Sequence, residues 1–143
     1  MSSPKPPVAA ILMVDDNKDG LTARKHVLDE LGHRTVTASS AKAALDLFAA
    51  QKFDLVVTDY KMPDMSGIVL IQRLRVLNPA VPVILISGFV TVLGLDEGTT
   101  GADVVIMKSA NEVQLLLRHV TRLLNRKPMR KADPPARGRK RVS

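Results

Sequence analysis

Five short runs, Ala9–Val14, Thr35–Ala38, Leu55–Thr58, Val83–Ile86 and Val104–Met107, lack the polar alternation of a sheet with one wet face. Strands of that kind are buried on both sides, which calls for a parallel sheet covered by helices. The segments between them carry the second layer. Ala23, Val27, Leu28 and Leu31 share one face of a helix predicted near Asp19 to Leu31, and Gly32 is placed to end it in a left-handed conformation. Ser40 caps a second helix through Ala41, Ala44, Leu45 and Phe48; Ser66 caps a third through Gly67, Leu70, Ile71, Leu74 and Leu77, stopped at Asn78-Pro79.

The fourth helical segment, Phe89 to Ala102, holds Gly94, Gly98, Gly101, Thr99 and Thr100, and is expected to be short or frayed. The fifth opens on a Ser109-x-x-Glu112 capping box and repeats Val113, Leu116, Leu117, Val120 and Leu124 at helical spacing. Strand and helix thus alternate five times. Right-handed crossovers turn that alternation into an α/β fold, a doubly wound five-stranded parallel sheet of flavodoxin-like (βα)5 type with strand order 2-1-3-4-5.

At 143 residues the chain holds one domain of ordinary size. It contains no cysteine, so a disulfide framework, thiolate metal sites and a cysteine nucleophile are excluded. The net charge of +7 suggests a nucleic-acid binder until it is divided along the sequence. Residues 1–125 hold 13 Lys/Arg against 13 Asp/Glu, whereas residues 126–143 hold 8 basic residues against Asp133 alone. The predicted organisation is a flexible leader (1–7), a folded domain (8–125) and a basic, disordered tail (126–143). For the tail, a purely solubilising end and a basic arm contacting acidic partners or nucleic-acid phosphates both stand. The apolar run at Val8 to Val14 is too short for a signal or membrane segment, and a cytoplasmic protein is expected.

In an open parallel sheet the site lies beyond the carboxyl ends of the strands. The residues there are Asp15, Asp16, Asp59, Ser87 and Lys108. Three carboxylates in one crevice need a cation, and an all-oxygen set suits Mg²⁺. An aspartate beside such a metal can attack phosphorus, with a lysine and a hydroxyl to hold the remaining phosphoryl oxygens. His26, His33 and His119 are read as helix residues without metal-ligand spacing.

The strings Met-Val-Asp-Asp-Asn (13–17), Val-Thr-Asp-Tyr-Lys-Met-Pro-Asp-Met-Ser-Gly (57–67), Ile-Leu-Ile-Ser-Gly (84–88) and Val-Ile-Met-Lys (105–108) resemble the receiver domains of response regulators, the CheY-like superfamily, over about residues 8–125. The resemblance implies a stand-alone phosphoacceptor signalling domain that catalyses only its own phosphorylation and dephosphorylation. It makes Asp59 the phosphoacceptor and one of the metal residues, Asp16 a direct Mg²⁺ ligand, Asp15 a ligand acting mainly through water, and the backbone carbonyl of Lys61 a further ligand. Ser87 and Lys108 would meet the phosphoryl group, and Pro63 and Gly67 match the turn after the acceptor. The partners implied are a histidine kinase or phosphotransfer protein and a downstream protein.

Two positions depart from the family pattern. Val105 stands where a Tyr or Phe usually switches between outward and inward positions, and Ser109 stands where a proline usually follows the lysine. The poor helix former between Ser87 and Ala102 is then the expected readout element. Two other readings are a silent receiver-like binding module and a haloacid-dehalogenase-type phosphatase, the latter disfavoured because adjacent Asp15-Asp16 replaces the required Asp-x-Asp after strand 1.

Overall fold

The computed structural model describes residues 8–88 and 93–132, with side chains through Asn125. In chain order the elements are β1 (Ala10–Val14), α1 (Lys18–Glu30), β2 (Arg34–Ala38), α2 (Ala41–Ala50), β3 (Leu55–Asp59), α3 (Gly67–Leu77), β4 (Val83–Ser87), α4 (Glu97–Thr100), β5 (Val104–Met107) and α5 (Glu112–Ala132). The five strands form one parallel sheet in the order β2-β1-β3-β4-β5. This is the doubly wound flavodoxin-like fold that the alternation predicts.

Successive residues of each central strand enter opposite layers, because side chains alternate across a pleated sheet. Ile11, Met13, Val57, Ile84 and Ile86 pack with Leu21 and Leu28 of α1 and with Leu116, Val120 and Leu123 of α5. Leu12, Val14, Val56, Val83 and Leu85 face the other way, onto Ala41 and Ala44 of α2 and Leu70, Ile71 and Leu74 of α3. Covering both faces leaves the strand ends as the place where polar groups can gather.

Local chemistry explains the element boundaries. Asn17 starts α1 by accepting from Gly20 N, Ser40 starts α2 by accepting from Ala43 N, and Ser66 starts α3 by accepting from Val69 N. Gly32 follows α1 with φ of 94°, the left-handed conformation expected of it. Asp64, from the loop after β3, also accepts from Ala41 N and Lys42 N, so that loop is tied to the start of α2.

Three expectations are corrected. The Ser109–Glu112 capping box does not form: Ser109 Oγ accepts from Asn111 N, Glu112 N donates to the Ser109 carbonyl, and the Glu112 carboxylate is taken by Arg24. The fifth helix continues past Asn125 to Ala132, although Pro128 within that extension has no N–H to donate to the helix ladder. That start of the basic tail is helical, and residues 133–143 lie outside the described residues, as does the leader 1–7. In the glycine-rich segment the described helix is short, as expected: it is the four-residue α4, closed by Gly101 at φ of 80°, and residues 89–92 lie outside the description.

His33 is the third correction, since it sits in the turn between α1 and β2 and not on a helix. Its ring is buried, and Nδ1 accepts from Ala9 N at 3.2 Å. Burial pushes its pKa below the ordinary 6.5, so the folded protein keeps the ring neutral while the unfolded chain takes up a proton. Stability present above pH 6.5 is therefore lost as the pH falls below it. Denaturant titrations between pH 7.5 and 5 are expected to show that loss, and His33→Asn, which keeps an acceptor for Ala9 N, is expected to flatten the slope. An equal slope in the variant would remove His33 as its source.

Candidate functional site

Each chemically expected residue emerges at the carboxyl end of a strand. Asp15 directly follows β1, Asp59 is the last residue of β3, Ser87 is the last of β4, and Lys108 directly follows β5. The sheet register brings them side by side, with Asp59 opposite Ile86 and Ser87 opposite Met107. Lys108 N donates to the Ser87 carbonyl and Tyr60 N to the Ile86 carbonyl, so the ladder continues beyond the strands and fixes both loops. Asp15, Asp16, Asn17, Asp59, Lys61, Met62, Pro63, Ser87, Gly88 and Lys108 line a cavity of about 510 Å³. A larger hollow of about 660 Å³ lies at the opposite edge of the sheet, between Phe48–Asp54 and Leu77–Pro82; the acidic cluster is not part of it.

The carboxylates of Asp15, Asp16 and Asp59 each bring an oxygen within 4.8 Å of the other two. Asp15 and Asp59 are buried, Asp16 is exposed, and Lys61 is exposed at the rim. Lys108 Nζ lies 3.1 Å from Asp59 Oδ1. Burial raises the proton affinity of Asp59, the neighbouring charge of Asp15 raises it further, and Lys108 opposes both only in part. A carboxylate pushed upward in this way is short of positive charge. Such an all-oxygen donor set, with one exposed member, fits a hard divalent cation such as Mg²⁺.

Ser87 is fully buried at the floor of the cavity. The close approach of α3 to the end of β3 needs a residue without a side chain: Gly67 N donates to the Tyr60 carbonyl at 2.7 Å, and a Cβ on Gly67 would stand 2.4 Å from the Asp59 carbonyl oxygen. Val105, where the family pattern has a ring, is half-buried and packs against the α2–α3 layer.

Arg24 is a member of the site that sequence reasoning missed. Its buried guanidinium donates from Nη1 to Asp15 Oδ2 at 2.6 Å and from Nη2 to Glu112 Oε2 at 2.7 Å. Burial alone would lower its pKa, but the hydrogen bonds to Glu112 and Asp15 outweigh that and raise it. The other Asp15 oxygen, Oδ1, accepts from Asn17 N at 2.9 Å. The position faces the core side of α1, and its partner at Glu112 lies 88 residues away, so no local pattern signals it.

A family model described as the response regulator receiver domain matches residues 11–120. The virulence sensor protein BvgS of Bordetella pertussis is 43% identical over 77 residues, which are 53% of this chain and 6% of that protein. The transcriptional regulatory protein ZraR of Escherichia coli is 35% identical over 82 residues, which are 57% of this chain and 19% of that one. The chain therefore spans a small part of the length of these relatives. Among solved structures, response regulator protein TrrA from Thermotoga maritima in complex with Mg²⁺-BeF is similar over 80% of this chain and 97% of that one, with 30% identity and a TM-score of 0.73.

Proposed function

The chain belongs to the response regulator receiver domain family of two-component signalling, and from that premise we propose that it accepts a phosphoryl group on Asp59 with Mg²⁺ at the acidic edge. The observation that carries the reading is the buried Asp59 carboxylate, 3.1 Å from Lys108 Nζ and grouped with an oxygen of Asp15 and one of Asp16 within 4.8 Å. Asp16, Asp59 and the Lys61 carbonyl are the direct metal ligands in this reading. Asp15 acts through water, because both its oxygens already accept hydrogen bonds. Bound Mg²⁺ neutralises the cluster and polarises a phosphoryl oxygen.

The chemistry asked of the chain itself is modest. An Asp59 carboxylate oxygen attacks phosphorus in line and forms an acyl phosphate as the P–N bond of a phosphohistidine donor breaks, the electron pair and a proton going to the imidazole. Lys108 favours the ionised carboxylate needed for attack and then meets a phosphoryl oxygen, and the Ser87 hydroxyl donates to another. A histidine kinase or phosphotransfer protein in the cytoplasm is the donor, and a downstream protein the recipient of the signal. Leu124 is the last core residue of α5 among the described residues, and the basic residues beyond it are the part of the sequence proposed to meet acidic partners. The phosphatase reading finds no support at Asp15, whose two oxygens are committed to Arg24 and Asn17.

Metal titration of two variants tests the assignment of roles. Asp16→Ala is expected to weaken Mg²⁺ binding by about 100-fold, the loss of a direct ligand. Lys108→Ala is expected to keep Mg²⁺ affinity within about three-fold while losing most of its affinity for beryllofluoride, since its charge faces the phosphoryl group. Equal Mg²⁺ affinities for Asp16→Ala and the unsubstituted protein would refute the ligand assignment.

A further inference from the structure

Arg24 places a permanent positive charge directly behind a cluster proposed to bind a cation. Arg24 is 6% exposed, and its guanidinium is held on two sides, by Asp15 Oδ2 at 2.6 Å and by Glu112 Oε2 at 2.7 Å from Nη2 and 3.2 Å from Nε. Gly20 makes room for it, because a Cβ there would stand 3.2 Å from Asp15 Oδ2 and 3.5 Å from Arg24 Nη1. Asp15 is thus shared between the outer edge, where Asp16 and Asp59 lie, and an inner cation anchored to the first turn of α5.

A residue so placed can act in two opposite ways. As a brace it orients Asp15, and its loss weakens metal binding, as loss of outer partners usually does. As a competing cation it withdraws Asp15 from the metal, and its loss strengthens binding. The geometry decides between them. Asp15 is 1% exposed and keeps a second hydrogen bond, from Asn17 N to Oδ1, so its orientation survives without Arg24. The charge does not survive: without Arg24 the cluster is more negative by one unit, at a depth where unit charges interact strongly.

We infer that Arg24 is a positioning residue that serves as a built-in counter-cation, holding Asp15 out of direct metal contact, lowering divalent-ion affinity and tying that setting to α5 through Glu112. The inference rests on reading the acidic edge as the Mg²⁺ site. Glu112 tempers the effect by sharing the guanidinium charge. Its removal leaves Arg24 bearing wholly on Asp15.

The test is Mg²⁺ titration calorimetry on the full chain. Arg24→Met is expected to bind Mg²⁺ about ten-fold more tightly, and Glu112→Gln several-fold more weakly, with Arg24→Lys returning toward the unsubstituted value. In the unsubstituted protein the Arg24 Nε–H resonance is expected to shift with Mg²⁺ occupancy. A merely structural brace predicts weakening in both variants. If Arg24→Met does not fold, Arg24→Gln, which keeps a donor toward Asp15 without the charge, carries the test: tighter Mg²⁺ binding supports the inference, and unchanged or weaker binding overturns it. Mg²⁺ binding by the unsubstituted chain with equal or like-signed changes in the variants overturns this inference alone. No Mg²⁺ binding by the folded, unsubstituted chain overturns the metal reading and this inference with it.

Discussion

Asp59→Asn is expected to melt about 4 °C above the unsubstituted protein when both are free of metal, and to gain almost nothing from Mg²⁺. The carboxylate is 5% exposed, and its pKa is raised first by burial and then by Asp15. A carboxyl whose folded pKa lies above its unfolded value stabilises the fold only while protonated, so that stability is lost as the pH rises through the folded value. Near neutral pH the ionised group is a net burden. An amide of the same shape removes it, at the loss of the Lys108 pair, whose partly exposed ammonium makes it worth less than about 1 kcal/mol. The advantage should shrink as the pH falls and vanish below about 3.8, where Asp59 is protonated in both states. Saturating Mg²⁺ at about 100 times its dissociation constant should stabilise the unsubstituted protein by about 2.7 kcal/mol and reverse the order of melting. Melting curves with and without Mg²⁺ across this pH range give the comparison; a variant that melts lower when metal-free contradicts the electrostatic account of Asp59.

Gly67→Ala is expected to cost about 3 kcal/mol of stability and to slow phosphorylation about 100-fold. The added methyl would stand 2.4 Å from the Asp59 carbonyl oxygen, 2.8 Å from Leu85 Cδ1 and 3.1 Å from Tyr60 Cα. Leu85 can rotate away; the backbone of β3 cannot. Either α3 withdraws, breaking the Gly67 N to Tyr60 carbonyl bond, or the end of β3 shifts and takes the Asp59 carboxylate with it. Chemical denaturation reads the first outcome and the initial rate with a small phosphodonor reads the second. A variant within about 0.5 kcal/mol of the unsubstituted protein would mean the approach of α3 is softer than the packing implies.

What could be read from the sequence was whatever depends on near neighbours or on the period of a strand. Apolar runs without polar alternation locate all five strands within a residue of their ends, and the rule that sites form at carboxyl ends picks out Asp15, Asp59, Ser87 and Lys108, each at or directly after the end of its strand. Local caps at Ser40 and Ser66 followed for the same reason. The failures share a cause, a side chain recruited by something distant. Glu112 matched a capping box, yet a buried arginine 88 residues earlier takes its carboxylate. Asp64, 22 residues from Lys42 in sequence, accepts from the first N–H groups of α2, a link that no local pattern signals. His33 reads as a helix position, but Gly32 has already turned the chain and Ala9 N claims the ring. Arg24 carries no local signal, because only the packing of α1 against the start of α5 gives it two acids to join.

The central claim is that Asp59, among the clustered aspartates, takes the phosphoryl group. Intact-mass measurement after incubation with a small phosphodonor and Mg²⁺ tests it most directly, run in parallel on the unsubstituted chain, Asp59→Asn and Asp16→Ala. One added phosphoryl mass on the unsubstituted chain, dependent on Mg²⁺, lost in Asp59→Asn and much slowed in Asp16→Ala, is the predicted result. Equal labelling of Asp59→Asn, or no labelling of a folded chain that binds Mg²⁺, would contradict it.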